Sequence, residues 1–376
     1  MVTTWYQFAD LSRVDPPRRA PCGGWPETST RKNMRIALCS TIVPFVSGGA
    51  RNIVEWLQAM LERDGHQVER IYLPELDSPQ LLFKQLAAFR WIDLEAADRI
   101  ICFRPQSHLI PHPNKVLWFI HHIRPFYDLW GTEYGLEDNA ANRGIKSALL
   151  AVDNNALREA RSIFTNSKVV AKRLETFNGV DSEVLYPPVF NADRYHSREF
   201  NDEIVCICRL EHHKRQHLLI EALPLTKSPV RLRLCGAGSA MGYPDYLRRI
   251  IGERNLGDRI ILDNRWISEE EKVDLLADCL AAAYIPLDED SYGYPSVEAS
   301  HANKAILTTW DSGGVLELIE DGFNGLVSEP TPQALADAMD RLYMDRALAK
   351  RMGKNSAVRL GDLNISWSHV LDRLLS

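Results

Sequence analysis

Two carboxylates, Asp290 and Glu298, stand eight positions apart in "DEDSYGYPSVEAS", on either side of Tyr292, Gly293 and Pro295. A glycine there lets backbone approach a ligand closely, and a proline suits the first turn of a helix. Glu298 is expected in that first turn, where the helix dipole favours an anion. A helix start alone accounts for Pro295 and Glu298, but not for the acids before Gly293 or for the "TTWDSGGVLELIEDGFNGL" that follows. Arg209 and Lys214 in "RLEHHKRQ" are cations bracketing a turn after an apolar strand, an arrangement suited to a diphosphate. A solvated charged turn would show the same residues. Gly48 and Gly49 precede a helix, where free backbone N–H groups can meet an anion; a simple turn also uses such a pair. His121 and His122 end the strand "KVLWFIHH" and must point to opposite faces, so that one can reach a cleft while the other packs.

These groups need a scaffold that brings five loops together. From Met34 on, short apolar strands alternate with helical segments: "MRIALCS", then "RNIVEWLQAMLERDG" with Ile53, Val54, Leu57, Met60 and Leu61 on one face, then "QVERIYL", "DRIICF" and "KVLWFIHH". This alternation predicts βαβ units with parallel sheets. A polar stretch near 190–202 without periodicity reads as a boundary. A second alternating series follows, from "EIVCICRL" to "GLVSE", and Ser268 with Glu271 forms a capping-box pattern. The last segment, "ISWSHVLDRLL", places Trp367, Val370, Leu371 and Leu374 at helical spacing. The expectation is two Rossmann-like α/β domains, over 34–190 and 191–364, facing across a cleft. Residues 1–33 are rich in Pro, Gly and charge and are expected to be a disordered extension.

The totals exclude several classes. A chain of 376 residues with 45% hydrophobic and 25% charged residues is ordinary for a globular protein of two domains. A net charge of −6 argues against a dedicated nucleic-acid binder. No apolar run spans a bilayer and no signal-peptide core is seen, so a cytoplasmic location is expected. Seven Cys without CxxC spacing give neither a disulfide framework nor a zinc site. There is no G-x-G-x-x-G and no P-loop, which counts against NAD and ATP.

"EDSYGYPSVEA" with "KAILTTWDSGGVLELIEDGFNGLV" resembles the donor-binding region of the retaining GT-B glycosyltransferases of family 4. That family carries an acid, an aromatic residue, a glycine, a proline and a Glu eight positions after the acid, here Asp290, Tyr292, Gly293, Pro295 and Glu298. The resemblance implies Arg209 and Lys214 on the nucleotide diphosphate, Gly48 and Gly49 in the N-terminal glycine-rich loop, and His121 rather than His122 near the sugar. It implies Glu298 on the ribose hydroxyls, Asp290 on the sugar, and a terminal helix crossing back to the first domain. The family's first acid is usually Glu; Asp290 is one methylene shorter, which alters the sugar contact or lets Glu289 share it. The implied function is retaining transfer from a nucleotide-sugar to a glycan or lipid-linked acceptor, as in bacterial cell-surface polysaccharide or lipopolysaccharide synthesis, with no metal and no other cofactor. Arg143, Lys146, Arg158 and Arg161 would either meet an anionic membrane as a peripheral contact or form a solvated face. A GT-B epimerase or phosphorylase, or a non-catalytic scaffold of this fold, remain the alternative readings.

Overall fold

The computed structural model describes residues 33–376 apart from 45–47, 76–78, 134 and 239–241. The extension expected over 1–33 therefore lies, but for Asn33, outside the described residues, and so does Ser47. Residues 34–376 form one compact unit built on two parallel six-stranded sheets.

The first sheet holds β1 (Arg35–Ile42), β2 (Gln67–Pro74), β3 (Arg99–Cys102), β4 (Lys115–Phe119), β5 (Ser162–Thr165) and β6 (Glu183–Val184), in the order β2-β1-β3-β4-β5-β6. The second holds β7 (Glu203–Ile207), β8 (Arg231–Cys235), β9 (Ile260–Asp263), β10 (Ala281–Ala283), β11 (Ile306–Thr309) and β12 (Gly325–Ser328), in the order β12-β11-β10-β7-β8-β9. All pairings are parallel, so the inner strands are buried on both faces, while the edge strand β2 is largely open. The strands show it residue by residue. Ala37 and Cys39 of β1 enter one core cluster with Ile100 and Leu117, whereas Ile36 and Leu38 enter another with Ile101 and Trp118. In the second sheet Ile204 and Cys206 face one cluster and Val205 the other.

Helix Gly49–Arg63 buries Ile53, Val54, Leu57 and Leu61, the face that its periodicity predicts except for Met60, which is half-buried. The Ser268 capping box forms, with Glu271 N–H donating to Ser268 Oγ at 3.1 Å and Ser268 N–H to the Glu271 carboxylate at 2.9 Å. The last helix, Trp367–Leu375, packs on the first sheet. Its Val370, Leu371 and Leu374 join the cluster of Ile36, Leu38 and Trp118, and Trp367 Nε1 donates to the Val189 carbonyl at 2.9 Å.

The two orders have the same consequence. In the first sheet the chain runs from β1 to β2 on one side and then returns to β3 on the other. In the second it runs from β7 through β8 to β9 and returns to β10. Open parallel sheets bind ligands beyond the carboxyl ends of their strands at such reversals. Here the reversals lie between β1 and β3 and between β7 and β10.

Candidate active site

Loops from both reversals line a single cleft of about 410 Å³. Gly48 and Gly49 come from the loop after β1, His121 follows β4, Arg209 and Lys214 follow β7, and Asp290, Tyr292, Gly293 and Glu298 follow β10. Every site residue named from the sequence thus borders the same space.

The loop after β7 is fixed by a residue that the motif reading passes over. Arg215, at φ +54°, donates to the Ile285 and Pro286 carbonyls at 2.9 Å each and forms a two-pronged pair with Asp311 at 2.6 and 2.7 Å. That guanidinium ties the loop after β7 to the loop after β10 and the end of β11. Lys214 and Glu289 are brought together as a result. The Lys214 ammonium donates to Glu289 and, at 2.9 Å, to the Tyr284 hydroxyl. Burial opposes a charge on Glu289, yet Lys214 and Tyr284 hold its carboxyl below the usual range. Arg209, about half exposed, lies 3.9 Å from Glu211 and makes no closer ion pair among the described residues. Its donors are open to a ligand in the cleft.

Gly293 has a specific reason to be glycine. Its φ is +68°, and a Cβ there would lie 2.3 Å from the Tyr284 ring. This turn starts helix Tyr294–His301 at Tyr294, so Glu298 is the fifth helical residue. The sequence expectation of Glu298 in the first turn is corrected: no acid stands there, and the helix dipole does not hold the charge. Lys272 does, donating to Glu298 at 2.6 Å and pairing with Glu269 at 2.8 Å. Burial pushes the Glu298 carboxyl up, and Lys272 counters that only in part. Beside these groups Trp266, 61% exposed, also lines the cleft.

Asp290 is held from the other side of the cleft. Its carboxylate pairs with Arg173, from helix Lys168–Asn178, and with Arg124 at 3.3 Å, while Ser167 Oγ donates to its carbonyl. Glu289 and Asp290 both border the cleft but take different cations, Glu289 the lysine and Asp290 the two arginines. Arg124 and Arg173 carry no motif signal. They are some 120 to 170 positions from Asp290, and only the fold makes them neighbours.

The two histidines divide as alternation requires. His122 is buried, bonded to Asn178 at 2.9 Å and packed against Phe119, Tyr127 and Phe177, and burial lowers its pKa to about 4. His121 borders the cleft. Its Nδ1 lies 2.6 Å from the His122 carbonyl, which can only accept, so Nδ1 carries the hydrogen and Nε2 keeps a lone pair. Burial, with Arg104 nearby, lowers its pKa and keeps the ring neutral. Gly49 faces Tyr294, whose ring would be 3.1 Å from an added Cβ, whereas Gly48 is extended at φ 178° and an added Cβ would meet nothing within 4 Å among the described residues. Of the four outer cations, Arg143 pairs with Asp138, Lys146 lies over the Trp130 ring and Arg158 reaches Asn155, while Arg161 is exposed. No helix of the described residues is long and apolar enough to cross a membrane.

Comparison with known proteins agrees with this architecture. Residues 192–359 match the family model described as glycosyl transferases group 1. The human alpha-1,3/1,6-mannosyltransferase ALG2 is 24% identical over 298 residues, covering 71% of this chain and 68% of that protein. Alpha-D-kanosaminyltransferase of Streptomyces kanamyceticus is 30% identical over 144 residues, 38% of this chain and 36% of that one. Among solved structures, HepE of Anabaena in complex with UDP superimposes with a TM-score of 0.65 at 18% identity, covering 91% of this chain and 99% of that one. These likenesses establish the two-sheet GT-B fold.

Proposed function

The chain belongs to the glycosyl transferases group 1, through residues 192–359, and from that premise we propose that it moves a sugar from a nucleotide-sugar donor to a glycan or lipid-linked acceptor with retention at the anomeric carbon. The observation that carries the reading is the convergence of Arg209, Lys214, Asp290 and Glu298 on one cleft at both sheet reversals. A nucleotide-sugar carries its diphosphate between ribose and sugar, and the cleft holds cations and acids that can serve each of the three parts. Glu298, nearly buried and set by Lys272, accepts from ribose hydroxyls. Arg209 and Lys214 meet the diphosphate, with Lys214 then shared between the phosphate and Glu289. Asp290 and the neutral His121 stand at the sugar. The bond from the anomeric carbon to the diphosphate oxygen breaks, an acceptor hydroxyl oxygen joins that carbon on the same face, and the hydroxyl proton passes to the leaving diphosphate oxygen. Cations already fixed in place stabilise the leaving charge without reorganising. A solved structural neighbour is bound to UDP, which supports a nucleoside diphosphate in this cleft. Metal independence is part of the proposal, since Arg209 and Lys214 take the role that a divalent cation would otherwise fill.

A screen of sugar nucleotides for thermal stabilisation tests this reading, because a ligand that binds the native state raises the melting temperature. The best-stabilising donor is then used for transfer, and the product's anomeric configuration is read by NMR. Stabilisation by at least one sugar nucleotide and a retained configuration, unchanged by a chelator, are expected. Inversion, or strict dependence on added Mg²⁺ or Mn²⁺, overturns the corresponding part.

A further inference from the structure

Two arginines and three aspartates from both halves of the molecule meet beside the cleft. Asp288 and Asp290 come from the loop after β10, Arg124 and Asp128 from the segment after β4, and Arg173 from helix Lys168–Asn178. Asp128 accepts from Arg124 Nε at 2.8 Å and lies 3.2 Å from Arg173 Nη2. Asp288 sits at φ +43°, a conformation that is costly for a residue with a Cβ. It accepts from the Nη2 of Arg124 at 3.1 Å and of Arg173 at 3.3 Å. The Nη1 of each arginine is left for Asp290, and both meet the same oxygen, Oδ1, with Arg124 at 3.3 Å. Asp290 Oδ2 has no hydrogen-bond partner among the described residues and is not shut away from solvent. Asp290 borders the cleft, so Oδ2 is the oxygen it can offer a ligand.

The helix that carries Arg173 is itself fixed from the opposite half. Glu317 accepts from the backbone N–H groups of Lys168 at 2.8 Å and Val169 at 3.0 Å, and from the Tyr186 hydroxyl at 2.8 Å. Ser167 Oγ, at the start of the same helix, donates to the Asp290 carbonyl. Gly314 N–H donates to the Glu289 carbonyl at 2.8 Å, which ties the segment leading to Glu317 to the Asp288–Asp290 loop. Two joined loops of the second half thus grip one helix of the first, and Arg173 meets Asp290 in a preset position. Arg173 does not itself border the cleft.

We propose that Arg173 is a positioning residue for the donor sugar: it holds the Asp290 carboxylate by Oδ1 and so presents Oδ2 to a sugar hydroxyl. The inference rests on the glycosyltransferase reading above. A carboxylate free to turn loses entropy when it accepts that bond, and one already held loses little. The first half then contributes to donor recognition without touching the donor. A clasp that served only to join the halves would affect stability, and it would treat a free nucleoside diphosphate and its sugar conjugate alike.

The test is calorimetric titration of the full chain with UDP-glucose, UDP-N-acetylglucosamine and GDP-mannose. The tightest binder is carried forward together with its free diphosphate, UDP or GDP. Arg173→Met keeps the buried stem and removes every donor. It should weaken the sugar nucleotide about threefold to tenfold and leave the free diphosphate within about twofold. Arg173→Ala repeats the measurement without the stem. In an Asp290→Ala background, adding Arg173→Met should change sugar-nucleotide affinity by less than about twofold, because a residue that acts through Asp290 has nothing left to hold. An unchanged or tighter sugar nucleotide in Arg173→Met, or an equal loss of both ligands, overturns the proposal. So does a full effect of Arg173→Met in the Asp290→Ala background. Loss of free-diphosphate binding in both Arg173 variants would assign the residue to the fold, and also overturns it. Failure of every sugar nucleotide to bind the unmodified protein strikes the glycosyltransferase reading, which keeps the two failures distinct.

Discussion

The two sides of the cleft are built from the same kind of sheet but supply different chemistry. The β7 and β10 loops carry charge that is paired within their own half: Lys214 with Glu289, Lys272 with Glu298, Arg215 with Asp311. The β1 and β4 loops offer backbone and a neutral imidazole, from Gly48 and His121. Where the first half does present cations, Arg124 and Arg173, it spends them across the cleft on Asp290 and Asp288. The lesson is a division of labour. One side keeps its charges paired within itself, and the other spends its arginines across the cleft and leaves neutral groups, Gly48 and His121, at the cavity.

The largest effect should come from removing the preset charge. Lys214→Ala loses a cation aimed at the leaving diphosphate, which typically costs about 3 kcal/mol, or roughly a hundredfold in turnover. Arg209 is more exposed, and Arg209→Ala should cost less, about tenfold. Steady-state kinetics on folded variants check both, and near-native turnover in Lys214→Ala would break the comparison at its charged side.

The neutral side answers to pH. His122 is held uncharged by burial, its pKa depressed to about 4 from an ordinary value near 6.5. A depressed base binds fewer protons folded than unfolded. Stability is therefore full above about pH 6.5 and is lost as pH falls toward about 4. Between pH 6.5 and 5 the loss should be about 2 kcal/mol at 1.36 kcal/mol per unit. His122→Phe keeps the aromatic packing and should flatten that slope in denaturant titrations; an unchanged slope would remove His122 from the account.

Glycines on the two sides should respond unequally. Gly293→Ala meets both a positive φ and the Tyr284 ring, and should destabilise by about 1–3 kcal/mol. Gly48→Ala has an extended backbone and open space, so it should stay within about 0.5 kcal/mol. Melting temperatures distinguish the two, and equal losses would show that the first loop is packed more tightly than its geometry indicates.

Legibility in the sequence follows the same line. Strand and helix alternation was readable because the inner strands are apolar on both faces, and the capping box at Ser268 and the terminal helix pattern translated directly into structure. Arg209, Lys214, Asp290 and Glu298 were readable because each lies within a few residues of a local signal: a strand end, a turn glycine, a helix start. Glu298 was assigned to the wrong turn because the start of its helix depends on the positive φ at Gly293, which spacing does not reveal. Arg124, Arg173 and Lys272 were not readable. Their significance comes from neighbours far along the chain.

The central claim is that one acid holds the nucleotide while the other, tied across the cleft, holds the sugar. Calorimetric titration of Glu298→Gln and Asp290→Asn with UDP, and with the sugar nucleotide that stabilises the protein most, tests it directly. Glu298→Gln should weaken both ligands by about tenfold to a hundredfold, the worth of a charge-assisted hydrogen bond. Asp290→Asn should leave UDP unchanged and weaken only the sugar nucleotide. Unchanged affinities in both variants, or a loss of UDP binding in Asp290→Asn equal to that in Glu298→Gln, would contradict the account.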